Sequence, residues 1–567
     1  MTGWLTKLPA FLERTWKNSF GRLLGYIETL PPGDRVLAYT LGTLVLVSGF
    51  WGLYSIERLF LVEVPARGGS FTEGVVGSPR FINPLLAISD TDRDLVALSF
   101  AGLMGRANDG SLVPVLAERY ELSEDGKVYT FYLRENLRFS DGTPLTSEDV
   151  VFTVTKAQDP GLKSPRLSDW SGVLVESIDA RTVQFTLPKE YSFFLEDATL
   201  GIIPAHLFKD VSNEEFPFSP LMTRPVGAGP FRVLSVQQNK DGVIEEYTLK
   251  AFSGYALSRP FLDEIRFRFY PNSEALSRAY ESGRIESLYG IATDRAVRAP
   301  YSRVFGVFFN YNQNNVFARE EVREALSVAV DRTRVIASAL SGFGTPLWGP
   351  VPPGVGVETY VEEPEDRIAA AAGILEDGGW EYDEETFLWT RDGATLSLTI
   401  KTSNVSELKA ASEAIRESLE ELGVPVSIEY YEPGDLAQNV IRPRRYEALL
   451  FGMVVGRDTD LYAFWHSGER TDPGLNIALY TNSSVDALLE EIRTGTREEN
   501  EGKLARLNEI MSSEYPAIFT HVPDFLYTVP KHVNNIILTR ISAPSDRFQG
   551  IHAWYRYTEH VWPVFAN

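Results

Sequence analysis

The segment VLAYTLGTLVLVSGFWGLYSI, from Val36 to Ile56, is 21 residues long and carries no charge. At ~1.5 Å per residue, such a helix covers the ~30 Å hydrocarbon core of a bilayer. It has no polar stripe, and a helix that is apolar all round does not sit on a water-facing core. Trp51 and Tyr54 lie near its far end, where interfacial aromatics are common. Before it, Lys7, Arg14, Lys17, Arg22 and Arg35 outnumber Glu13, Glu28 and Asp34. That excess predicts a cytoplasmic N-terminus and an exported main body. The run is longer than a typical signal-peptide apolar region, and no small-x-small site closely follows in ERLFLVEVPARGG. A retained single-pass anchor in the cell membrane (36–56) is therefore expected; a cleaved signal peptide is the alternative. The segment 1–35 is basic and amphipathic, suited to the inner membrane surface. A frayed tail reads the same residues equally well.

With 567 residues the chain can build more than one core. Its formal net charge of −23 argues against nucleic acid, whose binding needs Lys and Arg against phosphates. The lack of cysteine removes disulfides, thiol nucleophiles, Cys-ligated metals and an acylated-Cys lipid anchor. The six histidines form no H-x-x-x-H or H-E-x-x-H pair, so no metal site is expected.

From about Arg67 onward short strands alternate with helices. KVYTFYL, TVQFTL, EEYTLKAF, DEIRFRFY, VFGVFFNYN, LSLTIKT, SIEYYE and YEALLFGMVV read as strands, several with period-two apolar alternation. REEVREALSVAVDRTRVIASAL reads as a helix, with Val322, Ala325, Leu326, Ala329 and Val330 on one face. SELKAASEAIRESLEELGV reads as another, with Ser406 as N-cap and Gly423 at its end. The alternation predicts an α/β fold. LRFSDGTPLTSEDVVFT (137–153) reads as a tight Asp141-Gly142 turn and a helix capped by Thr146, with Val150, Val151 and Val154 starting its buried face. This is structure without catalysis.

The same stretch resembles the signature of the family-5 extracellular solute-binding proteins, the oligopeptide- and dipeptide-binding components of bacterial ABC importers. RPVGAGPF, RPFLDEIRFRFYPNSEALSRAYESGRIES and VFFNYNQNNVFAREEVREALSVAVDRTRVI match that family's order, and the likeness holds from about Gly69 to the C-terminus. The resemblance implies a two-lobed, periplasmic-binding-protein-like type II α/β fold, preceded by the membrane helix. The first lobe would take 66–302 and 525–567, with an inserted subdomain over 98–220. The second lobe would take 303–524. The hairpin at 137–153 would be scaffold of that insert.

No catalytic set supports an enzyme: G-x-S-x-G, G-K-[ST] and G-x-G-x-x-G are absent. No cofactor is expected. The resemblance places ligand contacts at Ser89, Asp90 and Thr91 in the first lobe and at Thr402, Ser403 and Asn404 in the second. It also points to LLFGMVVGRDTDLYAFWHSG (449–468), where the family carries a Gly-Trp pair and then an acidic residue that pairs with a peptide's free amine. Gly452 keeps the glycine, but Met453 replaces the tryptophan. Val454, Gly456 and Arg457 precede Asp458 and Asp460. Either Asp458 substitutes as the amine's partner or the ligand lacks a free amine, since an unpaired buried ammonium is costly. Arg457 could instead receive an anion. Trp465 and Trp348 are candidate pocket walls; Phe308 is expected in the core.

The implied function is a membrane-anchored binding protein, a monomer, that passes oligopeptide-like ligands to ABC permease subunits. A non-peptide cargo (oligosaccharide, metal chelate, opine) on the same scaffold is the alternative, as is a surface sensor or chaperone-like protein without an importer.

Overall fold

A computed structural model describes residues 25–107, 109–355, 357, 363–456 and 458–565. The basic amphipathic segment expected over 1–35 falls mostly outside the described residues, as does Arg457. The chain divides into two units. One comprises the residues up to Ala66 together with those from Tyr557; the other runs from Arg67 to Arg556.

In the smaller unit a helix spans Pro32–Phe60. Within it, Pro32–Gly52 is long and apolar enough to cross a membrane, and none of that stretch is buried. Val45, Leu46 and Phe50 are all more than 60% exposed, so the apolar surface has no protein partner among the described residues. The helix ends at Leu61, which is extended. The strand Val62–Ala66 comes at once and pairs antiparallel with Tyr557–Val561, Val62 opposite Val561 and Ala66 opposite Tyr557.

The larger unit is built on one mixed sheet of 12 strands. Its axis is the long strand Ala517–Thr528. The first part of that strand pairs with Arg303–Phe309, and its last part pairs with Ala296–Pro300 and Ser287–Tyr289. Beyond Arg303–Phe309 the sheet continues through Ala448–Val454, Leu398–Ser403 and Val426–Tyr431. Beyond Ser287–Tyr289 it continues through Ser70–Val76, Glu264–Tyr270, Ile244–Ala251 and Phe231–Gln238. Each half has parallel neighbours, Ser70–Val76 with Glu264–Tyr270 and Leu398–Ser403 with Val426–Tyr431; the second pair is joined by the helix Ser406–Glu421, and the whole is a two-lobed α/β arrangement. Pro523 sits in the long strand close to where its partners change. It has no N–H to give, but its carbonyl accepts from Tyr301 N–H at 3.2 Å.

Separate cores result from this plan. Phe71, Val75, Leu249, Phe267, Phe525 and Trp554 pack one half. In the other half Val307, Phe309, Leu326, Ile400 and Ile415 pack one face of the sheet, while Phe308, Trp465, Leu507 and Phe519 pack the opposite face. A four-stranded sheet, in the order Ala117–Leu122, Val128–Leu133, Thr182–Thr186, Leu174–Asp179, has its own core around Phe131, Trp170, Phe185 and Phe194. Tyr129, Phe131 and Leu133 alternate inward, as the sequence pattern requires.

The 137–153 stretch folds as read. Gly142 has φ +93°, a conformation that suits glycine. Thr143 N–H donates to Asp141 Oδ1 at 2.9 Å, and Thr146 N–H donates to Asp149 Oδ2 at 2.9 Å. Two helix readings need correction. REEVREALSVAVDRTRVIASAL forms Glu320–Ala329 and Arg332–Leu340, because Asp331 accepts from Arg334 N–H at 2.8 Å and caps a second helix. Ser406 is the first helical residue, not the cap; Val405 holds that position without a side-chain bond.

Candidate functional site

The strand Ala448–Val454 leads into the loop that carries most of the sequence candidates. Met453 is buried in the core, and so is Trp465, which packs on Phe308, Tyr480 and Phe519. Phe308 is fully buried, as expected. Trp348 lies under the Arg332 guanidinium, 5.3 Å from the ring centre. Val454 is about half exposed and pairs with Arg303.

Beyond Val454 the loop is held by Arg540. Its Nε donates to Ser302 Oγ at 2.6 Å, its Nη1 to Thr459 Oγ1 at 3.1 Å and its Nη2 to the Gly456 carbonyl. Thr459 is buried with φ +60°, a strained backbone for a β-branched residue that these contacts hold in place. Asp460 is consumed locally. Oδ1 accepts from Tyr462 N–H at 3.0 Å, and Oδ2 accepts from Arg493 Nε at 2.9 Å.

Asp458 differs. Among the described residues its side chain accepts only a long bond, from Asp460 N–H at 3.3 Å. Burial, then Asp460 and Glu196, push its carboxyl up to about 6. Glu196 and Asp197 belong to the short helix Phe194–Asp197 beside the four-stranded sheet. Glu196 is engaged by Arg106. Asp197 makes no side-chain hydrogen bond or ion pair among the described residues. Burial, then Asp169 and Asp458, push Asp197 up to about 8. Asp197 is raised in part by Asp458, and Asp458 in part by Glu196, so the two remote segments share one electrostatic neighbourhood, with no cation bonded to either carboxylate among the described residues.

The segment just before Asp197 grips the opposite side. Ser192 N–H and Oγ–H both donate to the Arg493 carbonyl, at 2.8 and 3.0 Å. The Arg493 guanidinium lies 5.3 Å from the Tyr191 ring centre and 4.2 Å from that of Tyr462. Asp460, Tyr462, Arg493, Tyr191 and Ser192 thus form a latch next to the Asp197–Asp458 pair.

The remaining candidates lie at the start of the helix Asp90–Ser99 and at the end of the strand Leu398–Ser403. Ser89 caps the helix Asp90–Ser99, accepting from Asp92 N–H at 3.1 Å. Thr91 is buried and donates to the Val76 carbonyl at 3.2 Å; Asp90 is partly exposed, 4.0 Å from Arg93. Asp90 acts electrostatically on Tyr301, whose hydroxyl accepts from Arg303 Nη2 at 2.5 Å. Burial raises the Glu407 carboxyl, and Arg303 opposes that shift. Thr402 donates to the Leu450 carbonyl at 2.9 Å. Ser403 Oγ is buried with no partner among the described residues. Asn404 N–H donates to the Tyr431 carbonyl at 2.8 Å, and its side chain bonds Glu432.

Sequence reasoning missed Tyr191, Ser192, Asp197 and Arg493. Nothing in the spacing of FFLEDATL marks it as feeling the charge of Asp458. Two surface depressions, of about 390 Å³ around Arg134 and Tyr255 and about 330 Å³ around Arg119 and Arg181, contain none of the candidates. Among the described residues no group of three metal-ligating side chains occurs.

Residues 111–474 match the profile of the bacterial extracellular solute-binding proteins, family 5 Middle. The chain belongs to this family. Family-5 members are binding proteins, not enzymes. The oligopeptide-binding protein AppA of Bacillus subtilis (strain 168) is 23% identical over 496 residues, 83% of this chain and 89% of the relative. The glutathione-binding protein GsiB of Shigella dysenteriae is 26% identical over 456 residues, 76% of this chain and 84% of the relative. The solved structure of Bacillus subtilis AppA in complex with a nonapeptide superposes with a TM-score of 0.67 at 22% identity, over 87% of this chain and 100% of that one. That likeness establishes the two-lobed fold.

Proposed function

We propose that this family-5 protein is anchored in the membrane by its N-terminal helix. It captures an oligopeptide-like ligand with a free amine between its lobes, for delivery to an ABC importer. The observation that carries the reading is the Asp197–Asp458 pair. Two partly buried carboxylates with no bonded cation among the described residues are costly to the empty protein. An ammonium group placed between them removes that cost, and a buried charge pair of this kind is worth several-fold to many-fold in affinity. Asp458 takes the role of the amine partner in a loop where Met453 has turned into the core. Asp197 joins it from the 98–220 segment. Ser403, whose hydroxyl is unpaired among the described residues, and Ser89, Asp90, Thr91, Thr402, Asn404, Val454 and Gly456 line the path along which an extended backbone is held, with Arg457 assigned to the same set from the sequence alone; Asp460 holds the loop through Arg493. Loose side-chain selectivity fits such main-chain recognition.

The lobes are assigned to 66–302 with 525–567 and to 303–524, with closure about the crossover near 302 and 524. Binding is to be tested by releasing small molecules from the purified full chain and identifying them by mass spectrometry. Calorimetry then compares a captured peptide with its N-acetylated form. Asp458→Asn is expected to weaken the free-amine peptide at least about tenfold, and the acetylated form far less. Equal affinity for both forms in the parent protein sinks the amine assignment.

A further inference from the structure

The membrane helix does not lead into a loose tether. A single extended residue, Leu61, separates its last residue, Phe60, from the strand Val62–Ala66. That strand is paired throughout with Tyr557–Val561. The register also fixes where the residues after Val561 lie. Val561 is opposite Val62, so Trp562 comes level with Leu61, the first residue after the helix. Paired strands run ~5 Å apart, which sets 562–565 beside the point where the helix ends. Those residues turn in a short 3₁₀ segment, Pro563–Phe565. From Val561 to Phe565 there is no charged residue.

Trp562 is 44% exposed and Val564 76% exposed. Scattered apolar side chains on a surface need no explanation. Here they are not scattered: the antiparallel pairing leads the chain back toward the helix, whose uncharged run ends at Ile56, about 7.5 Å before Leu61, where the interfacial layer of a bilayer starts. Tryptophan is enriched at that level of a bilayer, with its apolar body in lipid and its N–H in the headgroups.

We propose that 562–565 is a second membrane contact, lying in the headgroup–acyl boundary beside the helix. The chain is then fastened to the bilayer near both of its ends, through a two-stranded ribbon. This rests on the retained-anchor reading. The occupant is lipid rather than a partner protein, because the register ties the segment to the end of the helix.

The absence of cysteine makes the test clean. Val564→Cys, Val47→Cys and Lys240→Cys are each labelled with an environment-sensitive fluorophore in the full chain. The chain is reconstituted in phosphatidylcholine vesicles brominated near the headgroup and, as a second set, near the acyl-chain ends. Val47 lies within the helix, and Lys240 is exposed on a turn of the main body. The label at 564 is expected to lose at least about twofold in emission in the first set of vesicles, as for a side chain sunk 5–10 Å into the boundary, and the label at 47, near mid-bilayer, to lose as much in the second set. The label at 240 should be unaffected, and Trp562→Ser should lessen the loss at 564. Quenching at 47 without quenching at 564 overturns the proposal and leaves the anchor standing. No quenching at either overturns both. Equal quenching at 564 and 240 means general adsorption and also overturns it.

Discussion

Two pairs of carboxylates in this protein meet opposite fates. In the first lobe, Glu73 and Asp94 share Arg547. Its Nη atoms donate to both Asp94 oxygens at 2.7 and 2.6 Å, and its Nε donates to Glu73 Oε1 at 3.0 Å. The Tyr527 hydroxyl donates to Glu73 Oε2 at 3.1 Å, and the guanidinium packs 4.1 Å from the Phe548 ring centre. These side chains have essentially no exposure. Asp197 and Asp458 are only partly buried, yet burial still raises both carboxyls and no arginine bonds them among the described residues. The first set joins the strand Ser70–Val76, the helix Asp90–Ser99, the long strand and the C-terminal turns, so it is complete within the fold. The second has no bonded cation among the described residues, and the proposed ligand amine would complete it.

The largest expected effect lies in the completed set. Arg547→Met leaves two acids buried without a partner and should cost about 3–5 kcal/mol, read as a lower urea midpoint. A variant with parental stability would erase the contrast.

The open pair gives the next effect, and its sign is opposite. Asp197 rises from 3.8 to about 8 in the folded protein, so between those values the folded state holds a proton that the unfolded state has lost. Stability of the ligand-free protein should therefore fall as pH climbs from the ordinary carboxylate range towards about 8. Asp197→Asn should flatten that slope and stabilise the empty protein at its alkaline end, as followed by thermal melts across pH. Amine binding should release protons and strengthen over the same interval. A flat melting profile in the parent protein would show that Asp197 is not held in this way.

The smallest effect belongs to the latch. Arg493→Ala removes the ion pair with Asp460 and both ring contacts, but the backbone bond from Ser192 to the Arg493 carbonyl survives. Ligand affinity should fall only about three- to tenfold, seen by titration, with stability little changed.

Strands with one inward face, such as Val128–Leu133 and Leu398–Ser403, were legible because side chains alternate between core and water. The long strand Ala517–Thr528 was not. It is buried on both faces along almost its whole length, so AIFTHVPDFLYT has no period, and Pro523 argues locally against a strand. The site divided in the same way. Asp458 could be read from the loop after Gly452, but nothing local tells that Met453 and Trp465 turn into the core. Asp197 was invisible because its meaning is a distant carboxylate.

What the sequence determined by itself is whatever short-range physics controls: an apolar helix of membrane length, alternating strands, capped helices, and the order of motifs that marks the family. The tertiary structure decided which acids receive an arginine and which do not, and which side chain turns inward. It also brought Trp562 beside the end of the apolar helix. Those outcomes depend on the electric field and packing created when remote segments meet, and no window along the chain contains both partners.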